Sequence, residues 1–277
     1  MDRTVESTLG SFGAQSALLP AGPDAAATNA LTLAMTAGFA LLFVLVMALV
    51  WAAWRGEVRA RSWWIVGGGI VLPIMTVAAV FAASSAVLRA VAGEREAALT
   101  IAVTGHQFWW DVVYDPEGLA IRDANELVLP VGVPVRIELR SDDVIHSFWV
   151  PRLGGKMDMI PGRMNATVIE AAEPGRFRGQ CAEFCGLAHP LMAFEAVAVP
   201  PARFRRFLER LQEGPDAVAG PAAPGRAVFL EAGCPACHEI RGVAEGARIG
   251  PDLTRVGGRA ALGAGMWDMN RGSLAGW

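Results

Sequence analysis

No charged residue occurs between Ala25 and Trp54, nor between Ser62 and Leu88. Each run exceeds the roughly 20 apolar residues that a helix needs to cross a bilayer. Inside hydrocarbon a single span must satisfy all of its own backbone groups, so both runs are committed to helix. A two-helix membrane hairpin is therefore expected over residues 25–93, after an outer segment at residues 1–24. A secretory signal is the competing explanation of the first run, but its apolar stretch is longer than the roughly 7–15 residues of a signal core and starts late. Gly67, Gly68, Gly69 and Pro73 interrupt the second run, which predicts a kink near Pro73. Between the runs, Arg55 to Ser62 carries three arginines against one glutamate, which places this short loop on the cytoplasmic side and both chain ends outside.

From about Ala97 the pattern changes to short alternating stretches broken by Gly and Pro. In Val135-Arg136-Ile137-Glu138-Leu139-Arg140 apolar and charged residues alternate with period two, as in a strand with one buried face. Ala98–Tyr114, Glu126–Pro130, Ala166–Glu170 and Ala193–Val199 have the same character. An antiparallel all-β sandwich or barrel over residues 97–212 follows. It closes on an amphipathic helix, Pro200–Gln212, with Phe204, Phe207, Leu208 and Leu211 at helical spacing, to be packed on the sandwich or on the membrane surface. Residues 213–225, rich in Pro, Gly and Ala, have the composition of a linker, and a separate module is expected at 226–277. The formal charge of −3 is too small, and the basic residues too scattered, for a nucleic-acid partner.

The four cysteines fall as two close pairs, Cys181 with Cys185 and Cys234 with Cys237, a spacing suited to ligation or covalent attachment. Around the first pair stand His189 and Met192, and His146 lies on an earlier segment. A disulfide between Cys181 and Cys185 leaves His189 and Met192 unexplained. A zinc site completed by His146 leaves the thioether unexplained. Copper accounts for every residue, since thiolate, thioether and imidazole together favour it. Two thiolates four positions apart can also bridge two copper ions.

The order GHQFWWDVVYD (Gly105–Asp115), DDVIHSFWVP, GGKMDMIPGRMN and GQCAEFCGLAHPLM, after a two-helix hairpin, resembles subunit II of the haem–copper cytochrome c oxidases from about Pro20 to Gln212. The resemblance implies a cupredoxin-like fold for the sandwich and a dinuclear CuA centre. Its ligands map to His146, Cys181, the backbone carbonyl of Glu183, Cys185, His189 and Met192. It also implies a magnesium ion at the interface with subunit I, held by the side chain of Glu183 with Asp158. Electron entry is implied at the aromatic run Phe108, Trp109 and Trp110, where Phe108 stands in place of the family's usual Trp and fits a donor delivered another way. His106 in the same motif is expected to be a hydrogen-bonded structural histidine.

Cys234-Pro235-Ala236-Cys237-His238 has the form C-x-x-C-H, the attachment signal of haem c, with a redox dithiol as the competing explanation. With the later GPDLTRVGGR it resembles the small α-helical cytochrome c domain fused to some subunit II chains. That domain is expected to be incomplete here, because the family's distal Met lies beyond a Leu-x-x-Trp helix and the sequence stops at Trp277; Met266 and Met269 are the available thioethers. Together these features imply the electron-input subunit of a terminal respiratory oxidase in the bacterial inner (plasma) membrane. Cytochrome c or a cytochrome bc-type complex would donate electrons. Subunit I, with subunit III, would be the membrane partner and would carry oxygen reduction and proton pumping, since no residue here is arranged for acid–base or nucleophilic catalysis. A copper-delivery or assembly protein, and a nitrous oxide reductase-like CuA domain, are the rival readings.

Overall fold

The structure, a computed structural model, describes residues 15–57, 61–92, 95–115, 118–213 and 223–277. Most of the outer segment, part of the arginine-rich loop and most of the linker lie outside the described residues. The chain divides into two compact units, residues 26–94 and the remainder.

In the first unit, helix α1 (Pro23–Trp54) runs 32 residues. At 1.5 Å per residue it is about 48 Å long, more than enough for a hydrocarbon core of about 30 Å. The second span opens with a π-helical stretch, Trp64–Val71, and continues as α2 (Leu72–Ala92). A widened turn stands just ahead of Pro73, with the Leu72 N–H donating to the Gly67 carbonyl five residues back. Pro73 has no N–H and its ring crowds the carbonyl four residues earlier. The three preceding glycines have no side chains to hold the tighter register, so the extra residue per turn is taken up there. Large apolar side chains such as Leu41, Phe43, Ile65 and Phe81 point outward, the surface that lipid solvates.

In the second unit, ten strands form two five-stranded sheets. One has the order β3 (Ile121–Ala124), β2 (Trp109–Tyr114), β1 (Leu99–His106), β5 (Val135–Ser141), β8 (Asn165–Ile169). The other has the order β4 (Glu126–Pro130), β10 (Ala193–Val199), β9 (Gly175–Cys181), β6 (His146–Trp149), β7 (Met157–Met159). Alternate residues of each sheet face inward: Ile101, Val103, Val112, Ile137 and Leu139 from one, Leu127, Leu129, Phe148, Phe177 and Phe194 from the other, all buried. The result is a sandwich, and it corrects the antiparallel expectation in one respect: β1 pairs parallel with β5, and β10 parallel with β4. Side-chain alternation is the same for either direction of pairing, so the sequence period carries no sign of this.

The run Ala98–Tyr114 breaks at Gln107–Phe108 into the hairpin β1–β2. Strands β3, β6 and β7 gave no sequence signal of their own, because β6 is buried almost throughout and β3 and β7 are shorter than the window in which alternation is legible; β9 alternates Arg176, Arg178 and Gln180 with buried Phe177, Gly179 and Cys181. Helix α3 (Pro201–Glu213) lies on the sandwich, burying Phe204, Phe207 and Leu211, with Phe204 and Phe207 edge-on to Tyr114 at 6.2 and 5.4 Å. The C-terminal residues form α4 (Ala223–Glu231), a short hairpin of β11 (Ala261–Leu262) and β12 (Trp267–Asp268), and α5 (Arg271–Gly276). They are tied to the sandwich by the Arg259–Asp123 ion pair at 2.7 Å, with side chains 5% and 2% exposed.

Gly179 on β9 marks the tightest point of the core. A Cβ there would lie 2.2 Å from the Phe194 ring, which is itself stacked on Phe148 at 5.1 Å and tilted on Trp110 at 5.1 Å. With no room for the ring to retreat, Gly179→Ala is expected to cost about 1–3 kcal/mol by overpacking. A melting temperature equal to that of the unaltered chain would contradict this account of the core.

Candidate metal centre

Strand β9 ends on Cys181, and β10 begins at Ala193, one residue after Met192. The loop between them is held at both ends: the Cys181 N–H donates to the Met192 carbonyl at 2.9 Å, and the Ala182 N–H to the Ser147 carbonyl at 2.9 Å. Gly186, at φ +128°, turns the chain in a region closed to most side chains, and a 3-10 turn at His189–Leu191 brings Met192 back under the cysteines. His146 is the first residue of β6, the neighbour of β9, so sheet pairing carries it to the same end of the sandwich across 35 positions of sequence.

The donor atoms converge. Cys181 Sγ lies 3.8 Å from Cys185 Sγ and 3.8 Å from His146 Nδ1. Cys185 Sγ lies 3.6 Å from His189 Nδ1 and 3.8 Å from Met192 Sδ, and the Glu183 carbonyl oxygen is 3.2 Å from Cys181 Sγ. A disulfide needs its sulfurs at about 2.05 Å, so both thiols are free. Two ligands each about 2.2 Å from a shared ion at a tetrahedral angle are about 3.6 Å apart, so these separations fit donors around metal. His146, Cys181, Cys185 and Met192 are at most 5% exposed, while His189 is half-buried. The thioether among the donors suits copper and has no place in the usual zinc sets.

Burial disfavours ionisation of Cys181, but the hydrogen bond with His146, with further backbone hydrogen bonds at Glu183 and Ser147, outweighs it and lowers the thiol to about 6. Cys185 is pushed up to about 12, first by burial and then by the charge on Cys181. The pair therefore stores one negative charge readily and resists the second until a cation arrives.

Two residues not foreseen as part of the site organise it. Asp143 Oδ1 lies 2.7 Å from His146 Nε2, which leaves Nδ1 to face Cys181. Burial raises the Asp143 carboxyl, yet hydrogen bonds from His146, Val144 and Gln107 together hold it below the usual range. Gln107 donates its backbone N–H to Asp143 Oδ2 at 2.6 Å and its side-chain amide to the Cys185 carbonyl at 2.5 Å, joining the two halves of the site. An acid three residues before His146 was the available signal for Asp143; Gln107, on another strand pair, had none. Partners that orient ligand imidazoles are worth about 10–100-fold in metal affinity. Asp143→Ala is therefore expected to weaken metal binding by about that factor, and an unchanged affinity in a chelator competition would remove Asp143 from the site.

The remaining sequence-derived residues are placed as follows. Glu183 and Asp158 meet at one cation already present: Lys156 Nζ lies 3.5 Å from Glu183 Oε2 and 3.2 Å from Asp158 Oδ1, which also accepts from Ser147 Oγ at 2.8 Å. In the aromatic run, side chains alternate across β2. Phe108 reaches the turn of the Cys181–Met192 loop, where a Cβ on Gly186 would lie 3.1 Å from its ring. Trp110 is buried, with its ring 6.3 Å from that of His146. Trp109 faces the other way, stacked on His106 at 4.4 Å and 7°. His106 stays out of the cluster, 3.8 Å from Asp142.

In the C-terminal segment, Cys234 and Cys237 are free thiols on and just after a 3-10 turn. His238 Nδ1 lies 2.9 Å from the Pro251 carbonyl, an arrangement that fixes the ring and leaves Nε2 for a metal. These three residues have the donor chemistry that covalent haem requires.

A sandwich of this topology, following two apolar helices and gathering two thiols, two imidazoles and a thioether at one end, defines a membrane-anchored cupredoxin-like protein with a copper-type donor set. The chain belongs to the cytochrome c oxidase subunit II family. Residues 119–199 match the family described as cytochrome C oxidase subunit II, periplasmic domain. The chain is 42% identical over 178 residues to cytochrome c oxidase subunit 2 of Alkalihalophilus pseudofirmus, covering 64% of this chain and 51% of that one. It is 31% identical over 192 residues to that of Bacillus subtilis, covering 66% and 53%. It is 34% identical to the crystallised periplasmic domain of subunit II of cytochrome oxidase of Bradyrhizobium japonicum, covering 43% of this chain and 96% of that one with a TM-score of 0.41. The chain spans about half the length of the curated relatives it matches. Two apolar helices with a periplasmic-type domain fit an inner-membrane protein whose sandwich lies outside.

Proposed function

We propose that the chain is the electron-input subunit of a terminal respiratory oxidase. It accepts electrons from cytochrome c through a haem c on Cys234, Cys237 and His238, then through a dinuclear copper centre on His146, Cys181, Glu183, Cys185, His189 and Met192. From there they pass to subunit I, where oxygen is reduced to water. The observation that carries this is the set of 3.6–3.8 Å separations among sulfur and imidazole donors, all buried except the half-buried His189.

Two copper ions held by Cys181, Cys185, His146, His189 and Met192 would supply one-electron exchange. The chain's own residues supply the conditions for it. Asp143 holds the His146 ring, the Cys181–Met192 backbone bond holds the loop closed, and Gln107 holds the Cys185 carbonyl, so the donor set is rigid before and after transfer. Burial of Cys181, Cys185, His146 and Met192 excludes water, whose reorientation would add to the barrier. Phe108 at the loop turn and Trp110 beside His146 offer the approach for an incoming electron; the orientation of Trp109 takes it off that path. Glu183 and Asp158 would hold a magnesium ion against subunit I once Lys156 swings aside. The same burial argues against a copper-delivery protein, which needs an exposed and exchangeable site.

Purification of the full chain with its oxidase partners, followed by metal and haem analysis, tests the proposal. Two coppers and one covalent haem per chain are expected. Zinc in place of copper, or Cys181 and Cys185 bonded to each other in the active form, would overturn it.

A further inference from the structure

The C-terminal segment touches the sandwich beside a copper ligand. Strand β10 begins at Ala193, but its neighbour β4 begins opposite Glu195, so the first residues of β10 extend beyond the end of β4. The Ala193 N–H points toward that uncovered side, because the backbone bond to β9 is made by the Met192 carbonyl and Cys181. An unpaired, buried N–H next to Met192 would loosen the start of the strand. The Ala264 carbonyl fills the position instead, accepting from Ala193 at 2.9 Å.

The loop that presents Ala264 is pinned on every side. Arg259 donates from Nε and Nη2 to Asp123 Oδ1 at 3.0 and 2.7 Å, and the Ala260 N–H donates to Glu126 Oε1 at 3.2 Å. Arg178, on β9, donates to the Gly265 carbonyl at 2.8 Å. Gly265, at φ +81°, lets the backbone approach so closely that an added Cβ would lie 3.2 Å from Ala193 Cβ and 3.4 Å from the Phe194 nitrogen. These contacts come from a segment about 70 residues further along the chain, and they end one residue from the thioether ligand.

We propose that residues 259–265 are a clamp that positions Met192 in the copper centre, with the Ala264–Ala193 hydrogen bond as its contact point and Arg259 as its anchor. This rests on the copper reading of the site. Arg259 and Gly265 touch no metal; they act through the backbone of Met192 and Ala193. One consequence is that the C-terminal segment and the copper centre are mechanically linked, so displacement of the segment reaches the Met192 thioether.

The test uses the full chain, metal-free and copper-loaded, with Gly265→Val to wedge the loop off and Arg259→Lys to weaken the anchor while keeping its charge. In metal-free protein, amide exchange at Ala193 is expected to rise about tenfold in Gly265→Val and less in Arg259→Lys, while Ala182, bonded to Ser147, keeps its protection. In copper-loaded protein, Gly265→Val is expected to displace the copper absorption bands and midpoint potential, and Leu274→Ala, an exposed residue of α5, to leave both in place. Unchanged Ala193 exchange overturns the clamp. Raised exchange with unchanged spectrum and potential overturns its role at Met192. A wild-type chain that takes up no copper overturns the reading of the site and this inference with it, and is told apart by the absent copper bands.

Discussion

Cys185→Ser is expected to reduce bound copper from two ions per chain to one at most and to abolish the spectrum of a sulfur-bridged pair. Cys185 Sγ lies 3.6 Å from His189 Nδ1 and 3.8 Å from Met192 Sδ, while facing Cys181 at 3.8 Å. A serine hydroxyl stays protonated at neutral pH and is a hard donor, so the soft, charged bridge is lost rather than weakened. In the metal-free chain the buried hydroxyl is expected to cost about 1–3 kcal/mol, so the fold persists. The loss should therefore be read in metal content and spectrum, with thermal unfolding as the control. Met192→Leu gives the graded counterpart. A volume-conserving swap costs under about 1.5 kcal/mol, so the fold persists, and an altered copper spectrum is attributable to the thioether alone. A Cys185→Ser chain that still holds two coppers would show that the thiol does not bridge them.

Asp123→Ala is expected to loosen the C-terminal segment on the sandwich around Arg259. The Arg259–Asp123 pair is almost wholly buried, and removing one member of such a pair costs about 3–5 kcal/mol while the other stays buried. The hydrogen bonds that would keep Arg259 in place, to the Asp252 carbonyl and from Ala260 to Glu126, are worth about 0.5–1.5 kcal/mol each. The penalty is larger than these two restraints, so the guanidinium escapes to water and loosens the chain around Arg259, while the Ala264 and Gly265 contacts still hold the end of the loop. Trypsin should then cut at Arg255 or Arg259 in the variant while the sandwich resists. Replacing both partners by apolar residues, Asp123→Leu with Arg259→Met, is expected to restore protection, because no charge is then stranded. Equal trypsin resistance of Asp123→Ala and wild type would mean that the pair does not hold the segment.

Much of the site was legible because most of it is local. Cys181, Cys185, His189 and Met192 lie on one loop, and their shared softness as ligands is a property of residue type, independent of coordinates. The hairpin was legible for a similar reason, since an uncharged run of that length has one stable form in lipid. Strands β4 and β10 coincide with the expected Glu126–Pro130 and Ala193–Val199 because each is bounded by clear breaks in pattern. The sheet topology was not legible. Alternation tells which face of a strand is buried but is silent on its neighbour and direction, and so both parallel pairs went unseen. Gln107 escaped notice because its two partners, Asp143 and the Cys185 carbonyl, come from segments 36 and 78 positions away.

By itself the sequence determined two membrane spans, a sandwich with an inward apolar period, a soft-metal loop and a C-x-x-C-H motif, each written in neighbouring residues whose chemistry acts at short range. The tertiary structure alone decided that His146 reaches Cys181, that Asp143 and Gln107 hold the site, and that Arg259 meets Asp123 across 136 positions. Those contacts depend on which strands pair and in what register. That choice is made by the free energy of closing the whole core, to which no single stretch of chain has access.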